Sequence, residues 1–241
     1  MNSPVLLVPK VARNGAELSN VAVQACGLAK SAVAHAIEAL IHSSSPALQA
    51  VRLCEEKLDV LDRDLDEQLA PAIAQASPEK ARELLACMKL MIDLERVSDL
   101  VAGFAERALI VRNRIEMEDV EQLTKMASLI ENMLAQMENS LETRSVEQAI
   151  RVLRADAEID RLRNLLLVRH TENPEGLKGQ ESLHVVLMAN SLERAGDHVK
   201  NMAEELCHLA TGHTVRHLLK AKDKPVEQLY LDWLAQQDPS R

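Results

Sequence analysis

Pairs of carboxylates four residues apart recur along this chain. Glu55 and Asp59, Glu95 and Asp99, Asp156 and Asp160, and Glu193 and Asp197 all keep that spacing. On a helix, residues i and i+4 share one face, with Cβ atoms roughly 5–6 Å apart. Each pair can therefore share one cation or bridge two. Bare, the two charges repel each other by about 0.2–0.5 kcal/mol. Asn201 follows Asp197 by another four residues and adds a neutral oxygen donor, whereas Gly103 stands at the matching place after Asp99. The sequence thus predicts a poorer site around Glu95 and Asp99. An all-oxygen donor set favours hard or intermediate cations such as Mg²⁺, Mn²⁺ or iron over structural zinc. Arg96 and Arg194 read as ion-pair partners that orient the neighbouring acids. A single such pair is ordinarily a solvated surface, and it is the recurrence that raises the metal reading.

Two further spacings admit other chemistry. Glu181-x-x-His184 and Glu205-x-x-His208 have the spacing of ferritin-like di-iron bundles, which need such motifs on two different helices facing inward. Here both fall on one helix. A carboxylate-bridged metal oxidoreductase is therefore an alternative reading, and a metal-free helical adaptor with solvated acids is another. His213 and His217 follow Gly212 and read as an exposed pair. His198 lies about 100° round the helix from Asp197 and is not placed as a co-ligand. The sequence offers no nucleophile–base arrangement and no glycine-rich phosphate loop, so no bond-making activity is expected.

The elements that must position these acids are helices. Of 241 residues, three are aromatic (Phe104, Tyr230, Trp233), seven are glycine and eight are proline, while 47% are apolar. Sheets draw on aromatic and β-branched residues and need frequent turns; this composition predicts an all-α protein. Helices are expected near 17–42, 47–70 with a stop at Pro71, 78–111, 118–141, 146–169 and 180–209, with a loop at 173–176 and one short helix near 230–234. Ser43-Ser44-Ser45-Pro46 supplies a serine cap and a first-turn proline, and Ser77-Pro78 is another start signal. Val51, Cys54, Leu58, Leu61 and Leu65 step by three and four, the one-sided stripe of a bundle helix. With Val97 at zero on a helical wheel, the apolar residues 94, 101, 104, 108 and 111 fall within about 60°, and Glu95, Asp99 and Glu106 within about 20° of the opposite side. That acidic stripe is expected on the outer face.

The chain also repeats itself. Val51, Cys54, Leu58, Leu61 and Leu65 match Val152, Ala155, Ile159, Leu162 and Leu166 at an offset of 101. LERVSDLVAGFAE (94–106) matches LERAGDHVKNMAE (192–204) at an offset of 98 and retains Leu, Glu, Arg, Asp, Ala and the final Glu. The expected architecture is two tandem three-helix bundles related by a pseudo-two-fold internal repeat. The divisions are an irregular start (1–15), a first bundle (16–113), a second bundle (114–220) and a C-terminal tail (221–241).

Charge narrows the function. Twenty-eight Lys and Arg against 37 Asp and Glu give a net charge of −9, which argues against a general nucleic-acid binder. The same charge, without an anion-binding loop, predicts that phosphate itself is not bound tightly. No stretch approaches the roughly 18 apolar residues of a membrane span. The first residues lack a basic n-region and carry too short an apolar run for a signal peptide, so a cytoplasmic location is expected. Cys26, Cys54, Cys87 and Cys207 lie far apart among helical apolar positions and read as buried free thiols.

SLERAGDHVKNMAE (191–204), followed by Gly212 and Thr214-Val215-Arg216-His217, resembles the signature region of the PhoU family. Leu192, Glu193, Arg194, Gly196, Asp197, Asn201, Ala203 and Glu204 fit the family pattern. The earlier copy departs from it, with Ser98 in place of glycine and Gly103 in place of a polar residue. The resemblance spans about residues 16 to 220. It implies tandem three-helix bundles and surface acid-x-x-x-Asp motifs able to hold multinuclear metal clusters, with iron, Mn, Mg, Zn or Ni as candidate ions. It further implies negative regulation of phosphate uptake and phosphate-starvation signalling. The implied partners are the ATPase subunit of a phosphate ABC transporter, a phosphate-sensing histidine kinase and a second copy of the chain, with membrane association only through them.

Overall fold

A computed structural model describes residues 15–111, 114–143, 145–172 and 179–211. These form six helices: α1 (Gly15–His42), α2 (Ser45–Ala74), α3 (Pro78–Val111), α4 (Met117–Thr143), α5 (Val146–Glu172) and α6 (Gly179–Thr211). The 173–176 loop, Gly212, the His213/His217 pair, the expected 230–234 helix and the 221–241 tail lie outside the described residues, as do residues 1–14.

Local chemistry sets most helix ends. Ser43 closes α1 in the left-handed region at φ 50°, the conformation that lets a helix stop. Ser44 caps α2 by accepting from the Ala47 N–H at 3.2 Å, and Pro46 occupies the first turn, where its missing N–H is harmless. Ser77 accepts from the Lys80 N–H at 3.3 Å ahead of α3. The expected stop at Pro71 is corrected: α2 runs through it to Ala74. Proline there removes a single backbone hydrogen bond one turn from the end, while buried Leu69 and the partly buried Ala72 and Ile73 hold that last turn on the core.

Each repeat forms a three-helix bundle, α1–α3 and α4–α6. The two bundles join through α1 against α4 and α3 against α6. The outer helices α2 and α5 pack only on their own bundles among the main contacts. α1 touches α2, α3 and α4 because its buried face is mostly alanine: Ala22, Ala25, Ala29, Ala32, Ala36 and Ala39. Small side chains allow close approach on several sides. Gly27 extends this face, since a Cβ there would stand 3.1 Å from Glu138 of α4, the residue that pairs with Lys30. One hydrophobic core runs through both bundles, and its only Phe is Phe104. All four cysteines are buried free thiols, as expected. Burial pushes Cys26 and Cys207 up to about 12 and Cys87 to about 11, which leaves them unreactive near neutrality.

Candidate functional site

The eight paired acids occupy two grooves, one between α2 and α3 and one between α5 and α6. Packing of the apolar stripes turns the intervening faces toward each other, so the middle-helix and last-helix acids meet. In the first groove, burial raises the Glu55 carboxyl above its ordinary value, and the charges of Asp99, Asp59 and Glu106 raise it further against the opposing Arg52. Burial likewise raises Glu95; Arg96 opposes, and Asp99, Asp62 and Asp59 add to the rise. Asp62 is raised by burial and by Asp66 and Asp59. Asp62 is a groove member that spacing did not single out, although it falls three residues after Asp59 on the same face. The cations lie at the rim. Arg52 donates to Glu106 at 2.7 Å, and Arg96 reaches Asp99 at 3.3 Å and Glu95 at 3.7 Å. Asp59, Asp99 and Glu106 are exposed, which agrees with an outward stripe.

The second groove has the same acids but a different balance. Lys200 bonds to buried Asp156 and stands 3.7 Å from Asp197. Burial works against the Lys200 charge, but the Asp156 hydrogen bond and the charges of Asp156, Asp197 and Asp160 outweigh it and raise its pKa. Burial raises Asp156, with Lys200 pulling the other way. Glu193 is raised by burial and Asp197 and lowered by Arg163. At the repeat offsets, Lys200 corresponds to Ala102 and Arg163 to Asp62. The second groove therefore carries two built-in cations where the first has an alanine and a fifth acid. Asn201 is half-buried on α6. At Gly103 a Cβ would meet nothing within 4 Å, so no packing constraint excludes a donor side chain there. Gly196 has the opposite role: a Cβ would stand 3.0 Å from Ile159, so glycine lets α5 and α6 approach and form the groove.

Among the described residues, no three His, Cys, Asp or Glu side chains gather into a ready cage for a metal ion. The all-oxygen, mutually repelling set of the first groove is the one that could hold a hydrated hard cation, which would have to draw the carboxylates together by rotamer change. The Glu-x-x-His pairs are engaged elsewhere. Glu181 lies 3.3 Å from Arg114, and Glu205 bonds to Lys89 at 2.9 Å across the bundle interface. His198 bonds to Asp93 of α3 at 2.8 Å and so ties the bundles together.

The groove acids set a pH dependence. Where a carboxyl pKa is raised by folding, the protonated form favours the folded state, and that contribution is lost as pH rises through the raised value. Glu55, Asp62, Glu95, Asp156 and Glu193 all act in this sense. Glu158 has the opposite sign. Arg161 and Lys125 pull it down to about 2, so its contribution is lost only in stronger acid. As pH rises from the ordinary values of 3.8 for aspartate and 4.5 for glutamate through the raised ones, the groove acids therefore destabilise the protein progressively.

Comparison with known proteins places this geometry. The PhoU domain family model matches residues 23–108 and again 123–206. A Rhizobium meliloti protein named "Phosphate-specific transport system accessory protein PhoU homolog" is 31% identical over 193 residues, covering 77% of this chain and 81% of the relative. A Zymomonas mobilis protein of the same name is 28% identical, covering 82% and 85%. The crystal structure of PhoU from Pseudomonas aeruginosa superposes with a TM-score of 0.74 at 25% identity, covering 82% of this chain and 97% of that one. The phosphate transport system regulatory protein PhoU from Streptococcus pneumoniae shares the fold with a TM-score of 0.76. Two copies of the family domain, each on its own three-helix bundle, establish that this chain belongs to the PhoU family.

Proposed function

We propose that this protein is a negative regulator of phosphate uptake and of phosphate-starvation signalling. It acts without catalysis, as a cytoplasmic adaptor between the ATPase subunit of a phosphate ABC transporter and a phosphate-sensing histidine kinase. The observation that carries the reading is the doubled PhoU domain, together with relatives named as phosphate-specific transport accessory proteins over most of their length. No helix among the described residues is long and apolar enough to cross a membrane, which suits an adaptor that reaches the membrane through its partners. The test is a phosphate-starvation reporter in phosphate-rich cells. Deleting the gene raises reporter activity and restoring it lowers the activity again; a reporter indifferent to both contradicts the reading.

The acidic grooves are the metal-responsive part of this proposal. Contrary to the order expected from Gly103 and Asn201, Glu55, Asp59, Glu95 and Asp99, joined by Asp62, hold a divalent or trivalent cation more readily than Asp156, Asp160, Glu193, Asp197 and Asn201, because Lys200 and Arg163 already neutralise the second set. A bound cation supplies charge neutralisation and stiffens the α2–α3 flank that partners contact. For the chelator-treated protein, the thermal midpoint should fall as pH rises from the ordinary carboxyl values through the raised ones, and added Mn²⁺ should restore it at pH 7. Asp62→Lys should remove most of the Mn²⁺ response, and Lys200→Ala should preserve it. A midpoint insensitive to Mn²⁺ at pH 7 contradicts the metal role and leaves the regulatory reading to the reporter.

A further inference from the structure

Beside the second acidic groove, α3, α5 and α6 enclose a small polar cleft of about 380 Å³. Arg107 of α3, Arg163 of α5 and Arg194 of α6 line it, with Asn190, Ser191 and Glu193. Three guanidinium groups against one carboxylate leave a local charge of about +2 in a chain whose net charge is −9. Among the described residues, no carboxylate ion-pairs with Arg107 or Arg194. Arg163 is held by amides instead: its Nε donates to Asn190 Oδ1 at 3.0 Å and its Nη1 to Asn164 Oδ1 at 2.9 Å. The first repeat has no such cleft chemistry. Arg96, the counterpart of Arg194, is committed to Asp99 and Glu95, and Arg163, Asn190, Ser191 and Arg107 correspond to Asp62, Ile92, Asp93 and Glu205.

We propose that this cleft binds a phosphoryl oxyanion, as free inorganic phosphate or as the phosphate group of a small metabolite. A carboxylate presents two oxygens, which one guanidinium fork can satisfy. The guanidinium forks of Arg107 and Arg194, with the remaining Nη2 of Arg163, suit a dianionic tetrahedral group with three or more terminal oxygens. The Asn190 amide and the Ser191 hydroxyl add neutral donors, and Glu193 sets the limit on net charge. The low affinity for phosphate expected from overall charge does not govern this cleft: in the adjoining groove Asp156 is paired with Lys200 and Asp197 stands 3.7 Å from the same ammonium, while solvent ions screen the exposed acids farther off.

Equilibrium dialysis in chelator-containing, low-salt buffer tests the proposal, with inorganic phosphate and AMP as separate probes. The expected result is saturable binding of about one anion per chain, weakened roughly tenfold or more in R107Q/R194Q. R151Q/R161Q removes two positive charges on α5 that are paired with Glu147 and Glu158 and should bind as the parent does. Saturation by phosphate identifies the free anion as ligand; saturation by AMP alone identifies a carried phosphoryl group. Absence of saturable binding of either probe up to about 10 mM, or an equal loss in both variants, overturns the proposal. Circular dichroism melts of each variant confirm that the fold is retained.

Discussion

Asp119→Ala is expected to lower the unfolding free energy by about 3–5 kcal/mol, the usual result of breaking a buried ionic contact from one side. Asp119 is 1% exposed and accepts from the His170 ring, whose side chain is 2% exposed, at 3.0 Å. Arg169 Nε lies 3.1 Å from the same oxygen, and its remaining nitrogens bond to Glu116 and Glu118. The cluster joins the first turn of α4 to the last turn of α5, where the helix dipoles favour an acid and a base respectively. Nδ1 of His170 is buried without a partner, so removing Asp119 leaves the whole ring unsatisfied. Asp119→Asn keeps an acceptor for His170 and loses only the charge facing Arg169; its expected cost is about half. Urea unfolding with an unchanged m-value reads both. A loss below about 1 kcal/mol for Asp119→Ala would assign the cluster to ordinary surface pairing.

Phe104→Ala is expected to cost about 3–5 kcal/mol and to lower the thermal midpoint by about 6–20 °C. Phe104 is 0% exposed, on the helix that packs against α1, α2 and α6. It is the only Phe in the chain, and the small side chains of α1 offer little reach to fill the void. Phe104→Leu, which keeps much of the volume, should cost less than about 1.5 kcal/mol. Because α3 also carries Glu95 and Asp99, the alanine variant should loosen the first groove as well, read as a reduced Mn²⁺ response below the midpoint. Equal costs for Ala and Leu would mean that the cavity is not the source of the loss.

Helix number and order within residues 15–211 were legible because serines and prolines mark the ends and the apolar stripes run in threes and fours. The duplication was legible because charged residues recur at fixed offsets. The outward acidic stripe on α3 followed from angular arithmetic alone. Other features depend on which helices touch. Glu55 and Asp59 each follow a residue of their helix's apolar stripe, Cys54 and Leu58, but only the packing of α2 on α3 brings them to Glu95 and Asp99. Lys200 and Arg163 read as ordinary helix cations until α5 and α6 are set side by side. The stop assigned to Pro71 failed because proline restricts the turn before it, while Ala72 and Ile73 still have core to pack on. Asp119 and His170 left a signal that was missed. Asp119 precedes the buried Leu123 by four residues and His170 follows the buried Leu166 by four, so each occupies an apolar register with a titratable group. Arg107, Arg163 and Arg194 are spread over 88 positions of sequence, and no local pattern connects them.

As proposed, this PhoU-family protein restrains phosphate transport when phosphate is abundant. Initial rates of radiolabelled phosphate uptake test it most directly, measured in phosphate-replete cells with the gene present, deleted, and restored. The account predicts fast uptake in the deletion strain and return to the slow rate on restoration. Uptake that stays slow after deletion, with the transporter present at its normal level, would contradict it.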